Sequence, residues 1–240
     1  MTMTSSTSVR SVGRAAYVPG VHGTTQRSEP RKPAPTRRTD LGPLATIGTP
    51  MTFAAGTPLL HEGAPADHLF HITSGVVKVY RTLPDGRCQI TGFLFAGDFV
   101  GLAPEDVYLS GVVAIGPVTA SRIPRKKVEQ LVEVSPMVAR LLLQRACSEL
   151  IAAQDQMLLL GRKTAPEKVA SFLVSIAHRT AGDLIDLPMT RTDIADYLGL
   201  TIETVSRTLS RLDADEIIEV DRAHIRIIDA EALQELTEGA

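Results

Sequence analysis

Cysteine is scarce in this chain: Cys88 and Cys147 are the only two among 240 residues. They lie far apart, so there is no disulfide framework, and they are too few for an all-cysteine zinc or iron–sulfur site within one chain. Long apolar runs are also missing. No stretch approaches the ~18 apolar residues of a membrane span, and the N-terminus has no continuous apolar core of a secretory signal. A cytoplasmic protein with no membrane partner is therefore expected. An excess of one charge is missing too. The net charge is −2, so a nucleic-acid partner has to be argued from local residues. What the chain does have is an ordinary globular balance, 44% hydrophobic and 22% charged. Its length suits two domains of common size.

Composition divides the chain. Residues 1–42 carry seven basic side chains (Arg10, Arg14, Arg27, Arg31, Lys32, Arg37, Arg38) against Glu29 and Asp40, among many Ser, Thr, Gly and Pro. With no periodicity and no core-forming residues, they read as a disordered basic tail. In residues 43–134 short apolar runs recur between turn residues: Thr57–His61, His68–Ile72, Val76–Arg81, Gln89–Phe95, Val112–Ile115 and Val118–Ile123. Many short strands at regular spacing imply a small β-barrel or β-roll. Glycines 56, 63, 75, 86, 97 and 101 fall where turns need positive φ or close crossings.

Residues 135–160 predict one long helix, with Ser135 as N-cap and Pro136 in the first turn. It contains neither Gly nor Pro after Pro136. Leu143, Ala146, Leu150, Ala153, Met157 and Leu160 recur alternately three and four residues apart. That is the seam along which two helices pair, so a homodimer is expected. Leu141, Leu142, Leu158 and Leu159 lie off the seam, available for packing within the chain.

Residues 161–240 open with an amphipathic helix over Glu167–Arg179, apolar at Val169, Phe172, Leu173 and Ile176. The informative segment follows. Thr190 predicts a helix N-cap, with Asp193 completing a capping box. Ile194, Ala195 and Leu198 form the inner face, and Gly199 stops the helix. Thr201 caps a second helix with Val205, Leu209 and Leu212 inward. Two short helices joined by a tight turn are a helix–turn–helix. On the outer face of the second helix, Glu203, Ser206 and Arg207 stand at i, i+3 and i+4. In a major groove, arginine can donate to both acceptors of guanine and glutamate can accept from cytosine. These three residues are the candidates for base readout. Arg191, Thr192, Thr201 and Thr204 are placed to meet phosphates. Beyond it, Ile217–Val220 and His224–Ile228 read as a strand pair around Asp221-Arg222-Ala223, and Glu231–Glu238 as a final helix. The unit carries nine basic against fifteen acidic side chains, so binding should depend on a few placed residues and on two copies acting together.

In this order, the parts closely resemble the Crp/Fnr superfamily of bacterial transcription regulators, over about residues 43–228. Three segments carry the resemblance: the β-roll run ending in Gly97-Asp98-Phe99-Val100-Gly101, the long helix after residues 131–136 (LVEVSP), and ETVSR at 203–207. The last is a pattern of the Fnr and FixK branches; the run at 158–173 is also FixK-like. The resemblance implies an α+β fold: a cyclic-nucleotide-binding-type β-roll, a dimerisation helix and a C-terminal winged helix–turn–helix. It implies a homodimer on a TTGAT-type inverted repeat of double-stranded DNA, with Glu203 and Arg207 on a G·C pair, Ser206 on a neighbouring A·T pair, and RNA polymerase as a further partner.

The departures bear on cofactors. Oxygen-sensing members hold a four-iron–four-sulfur cluster on N-terminal cysteines, whereas residues 1–87 contain none. Members that bind cyclic AMP hold its phosphate with an Arg-Ser pair, whereas residues 102–111 contain no arginine. The polar pair expected on the long helix is replaced by Ala153-Gln154. No cofactor is expected, and the thiols of Cys88 and Cys147 are expected to be structural, with Cys147 buried near the seam. Two alternatives stand beside this reading. One is a regulator of the same fold gated by an unknown small effector. The other is a cupin-like metal oxygenase using His61, His68 and His71, disfavoured because residues three apart in a strand point to opposite faces.

Overall fold

The computed structural model describes residues 43–103, 106–180, 184–222 and 224–238. The expected basic tail, residues 1–42, lies outside them. The chain runs through a short helix α1 (Leu44–Ile47) into strands β1 (Thr49–Phe53), β2 (Pro58–Leu60), β3 (His68–Ser74), β4 (Val77–Thr82), β5 (Cys88–Leu94), β6 (Phe99–Val100), β7 (Gly111–Ala114) and β8 (Val118–Pro124). These form two antiparallel four-stranded sheets, ordered β1-β8-β3-β6 and β2-β7-β4-β5. They face each other as the expected β-roll around Leu60, Phe70, Ile72, Val77, Val112, Val118 and Ala120. All six expected turn glycines have positive φ. At Gly75 a side chain is excluded twice over, because φ is 83° and a Cβ would lie 2.4 Å from the Pro117 carbonyl oxygen.

Strands β1 and β6 were not expected. β1 begins at a Thr-Pro pair and shows little burial, and β6 is two residues long, so neither carries an alternating pattern of useful length. A helix, α2 (Arg125–Val134), also stands where the sequence predicts only a passage to the long helix. It opens on three cations and turns only Val128 and Leu131 inward, too few to declare a period.

β3 is buried over four consecutive residues. Phe70 and Ile72 enter the roll, while Leu69 faces the other way with Phe99 and Ile123 against Val128 and Val138 of the helices. A pairing shift beside Val79 and Tyr80 sets Val79 opposite Gly92 and Tyr80 opposite Ile90, leaving Thr91 as a bulge. The bulge reverses the alternation, so Ile90 and Phe93 both join a second core with the C-terminal helices.

The long helix α3 spans Pro136–Arg162, with Pro136 in its first turn. Ser135 occupies the expected N-cap position, but its side chain makes no capping hydrogen bond. Helix α4 (Ala165–Thr180) follows, then strand β9 (Leu184–Asp186), helix α5 (Arg191–Leu198), helix α6 (Ile202–Ala214), strands β10 (Ile218–Asp221) and β11 (His224–Ile227), and helix α7 (Ala230–Glu238). The expected strand pair is a three-stranded sheet ordered β10-β11-β9. The three residues of β9 are too few for a pattern, and pairing with β11 organises them. Among the described residues, no helix is long and apolar enough to cross a membrane.

Candidate nucleic-acid interface

The two short helices are set by their ends. Thr190 Oγ1 accepts from the Asp193 backbone N–H at 3.1 Å, and the Thr190 N–H donates to Asp193 Oδ2 at 2.9 Å. This is the expected capping box, and it satisfies donors that a helix start leaves open. Gly199 adopts the left-handed conformation, φ 60° and ψ 43°, and its N–H closes on the Ala195 carbonyl. Thr201 then caps α6 by accepting from the Thr204 N–H at 3.2 Å. Ile194, Ala195 and Leu198 pack on Val205, Leu209 and Leu212 in one buried core.

That packing leaves Glu203, Ser206 and Arg207 together on the exposed face of α6. Their side chains do not form an ion pair; Arg207 Nε instead donates to the Glu203 backbone carbonyl at 3.4 Å. The Glu203 carboxyl is held below its usual range by its own backbone N–H, then by the Thr201 hydroxyl, with Arg207 adding to this. It is therefore firmly an acceptor at neutral pH. Thr192 and Thr201 are exposed; Thr204 and Arg191 are half-buried. Burial draws the Arg191 pKa below its ordinary value, and its Nη2 donates to the Arg222 carbonyl at 3.5 Å. The face thus offers a carboxylate, a hydroxyl and a guanidinium within one turn, flanked by hydroxyls and a second guanidinium.

The frame behind this face includes residues that the sequence reading missed. Lys78 of β4 donates to Asp193 Oδ1 at 2.5 Å. Burial would raise the Asp193 pKa, but the bonds from Lys78 and Thr190 outweigh it and hold the carboxyl below its usual value. Gln89 donates to the Asp196 carbonyl, and Gln156 of α3 to the Tyr197 carbonyl at 2.7 Å. These partners lie up to 115 residues apart, and no local pattern announces them.

On α3, five of the six seam residues, Leu143, Ala146, Leu150, Ala153 and Met157, are exposed; Leu143, Leu150 and Met157 are 65%, 60% and 73% accessible. Leu160 differs. It is half-buried, with Cδ2 against Gly199, because the helix end leans on α5. Leu141, Leu142 and Leu159 pack inside the chain, but Leu158 is 63% exposed and does not. Cys147 is exposed rather than buried, as is Cys88, since the seam face of α3 has no cover within one chain.

The residues do not fit an iron–sulfur cluster, with two exposed cysteines on separate elements and none before Cys88. Nor are His61, His68 and His71 gathered into a metal-holding group among the described residues. A cavity of about 660 Å³ does lie between the β-roll, α3, α4 and α5, lined by Phe93, Phe99, Tyr108, Phe172 and Tyr197. Two cations, Lys163 and Arg179, line it, both from outside residues 102–111. Both are engaged: Lys163 donates to Ser171 and the Thr237 carbonyl, and Arg179 pairs with Asp98 at 2.7 Å. A cyclic phosphate would have to displace those bonds, so these residues do not fit one.

Comparison with known proteins places the chain. Residues 50–135 match the cyclic nucleotide-binding domain family and residues 167–236 the Crp-like helix-turn-helix domain family. The chain is 43% identical over 176 residues to the transcriptional activatory protein AadR of Rhodopseudomonas palustris, covering 71% of this chain and 74% of that protein. It is 37% identical over 195 residues to the nitrogen fixation regulation protein FixK of Bradyrhizobium diazoefficiens, covering 79% and 82%. The solved structure of FixK2 from Bradyrhizobium japonicum superimposes with a TM-score of 0.78 at 36% identity, covering 81% of this chain and 99% of that one. A β-roll joined through a long helix to a capped helix–turn–helix, with relatives that are themselves regulators, leads to one conclusion: the chain belongs to the Crp/Fnr family of DNA-binding transcription regulators.

Proposed function

We propose that the protein acts in the cytoplasm as a homodimeric transcription activator on a TTGAT-type inverted repeat, without iron–sulfur cluster or cyclic nucleotide, and that it contacts RNA polymerase. In this reading residues 43–134 form the β-roll unit, 135–160 the dimerisation helix and 161–240 the DNA-binding unit. The observation that carries it is the exposed Glu203–Ser206–Arg207 face on a helix whose start, stop and inner side are all satisfied. Arg207 reads guanine, Glu203 accepts from the paired cytosine, and Ser206 meets a neighbouring A·T pair. Arg191, Thr192, Thr201 and Thr204 set the register on phosphates. The exposed seam of α3 supports dimerisation, and a dimer presents two recognition helices to two half-sites. The relatives named as activators support activation.

The test is a pair of titrations with purified protein and no effector, on the repeat and on a repeat with its guanine changed. Wild-type protein should prefer the first. Arg207→Ala should lose about 1–3 kcal/mol per half-site and most of that preference. A variant that keeps full preference for guanine overturns the assignment. The cavity beside Tyr197 favours a second reading, an effector-gated regulator. Wild-type protein that binds only after a small molecule is added, with a matching rise in thermal stability, would decide for it.

A further inference from the structure

We propose that Lys78, Gln89 and Gln156 are positioning residues that fix which half-site spacing the dimer accepts, by holding α5 at both of its ends; this rests on the dimer and DNA-binding readings above. The first observation is where the three side chains come from. Val77 and Val79 of β4 enter the roll, so strand alternation turns Lys78 to the opposite face, toward the C-terminal unit on which Tyr80 also packs. Gln89 reaches the same unit from β5, just before the bulge, and Gln156 reaches it from α3. None of the three belongs to the helix–turn–helix, yet each donates to α5.

The second observation is where they attach. Lys78 Nζ donates to Asp193 Oδ1, and Asp193 is the buried carboxylate of the capping box in the first turn of α5. At its other end a helix leaves its last carbonyls without partners. The N–H groups of Gly199 and Leu200 both turn to the Ala195 carbonyl. The Asp196 and Tyr197 carbonyls instead accept from the Gln89 and Gln156 amides. Three bonds from three elements, placed at both ends of an eight-residue helix, set its direction as well as its place. α6 follows α5, because Ile194, Ala195 and Leu198 share one core with Val205, Leu209 and Leu212. The roll and α3 thereby set the angle of the recognition helix, and pairing along α3 sets that helix against its copy. A dimer held in this way engages both half-sites only where their separation and rotation match it.

The test uses full-length protein and labelled duplexes: the TTGAT-type repeat, the same repeat with one base pair added at its centre, a single half-site and a scrambled sequence. The added pair moves one half-site by about 3.4 Å and rotates it by roughly a tenth of a turn. Wild-type protein should bind the lengthened repeat on the order of a hundredfold more weakly, having lost simultaneous engagement. The double variant Gln89→Ala, Gln156→Ala leaves the capping box intact. Its preference between the two repeats should fall to roughly tenfold or less, because a looser α5 lets both helices reach. Its affinity for the single half-site should stay at the wild-type value. Lys78→Met should relax the preference in the same direction, and Lys78→Arg, which keeps a cation for Asp193, should retain it. An unchanged spacing preference in both the double variant and Lys78→Met overturns the proposal while the DNA reading stands. So does a double variant weakened on the single half-site as much as on the repeat, since the contacts would then only support the fold. Wild-type protein that binds the repeat no better than scrambled DNA overturns both.

Discussion

His71 is the residue with the least obvious reason to be where it is. It is 8% exposed, stacks 4.9 Å from Phe99, and neither ring nitrogen has a hydrogen-bond partner. Burial lowers its pKa, the Arg145 guanidinium lowers it further, and Asp98 opposes both. The ring is therefore neutral in the folded protein. The unfolded chain protonates near the ordinary value of 6.5, so below that pH the unfolded state binds the extra proton. Stability from His71 is full above that value and is lost as pH falls toward the lower, folded pKa. Thermal melts from about pH 7.5 to about pH 5.5 should show the wild-type melting temperature dropping further than that of His71→Leu. Parallel profiles would assign the acid sensitivity to other groups.

Among the elements, α3 leaves the most apolar surface uncovered. Leu143, Leu150 and Met157 stand at seam spacing and Leu158 beside them, all more than half accessible. Burying one such side chain contributes about 1.5–3 kcal/mol, so a two-fold pairing of this face has ample driving force. Leu150→Glu would place two carboxylates at the centre of the pair. Sedimentation at micromolar concentration should find that variant monomeric and the wild type dimeric. A dimeric variant would move the interface off this face. Leu160, half-buried against Gly199, has less surface left for such a pairing.

At the scale of the molecule, the β-roll and the helix–turn–helix share a core. Phe93 of β5 lies 5.2 Å from Tyr197 of α5 and 6.1 Å from Phe172 of α4. Lys78 adds its bond to Asp193, and Asp98 draws Arg145 of α3 and Arg179 of α4 to one turn of the roll. Truncating a buried phenylalanine costs about 3–5 kcal/mol. At Phe93 that loss falls on the contact between units more than on either alone. Calorimetry should therefore show one transition for the wild type and two for Phe93→Ala, the first belonging to the C-terminal unit. A single shifted transition would mean that the polar contacts couple the units without the aromatic cluster.

Local chemistry made much of this legible in one dimension. The capping box at Thr190–Asp193, the stop at Gly199 and the outer face of Glu203, Ser206 and Arg207 all rest on contacts within about one helical turn. The turn glycines and eight of the strands follow from equally local rules. Tertiary structure alone decided the rest, because the partners are remote in sequence. β9 exists through its pairing with β11, and α2 through a cover over β3 and β8. The bulge at Thr91 turns Ile90 and Phe93 to the same side only because β4 fixes the register. Lys78 acquires its role from a carboxylate 115 residues away. A helix face is written in every fourth residue, but a contact between units is written in two distant places that only folding brings together.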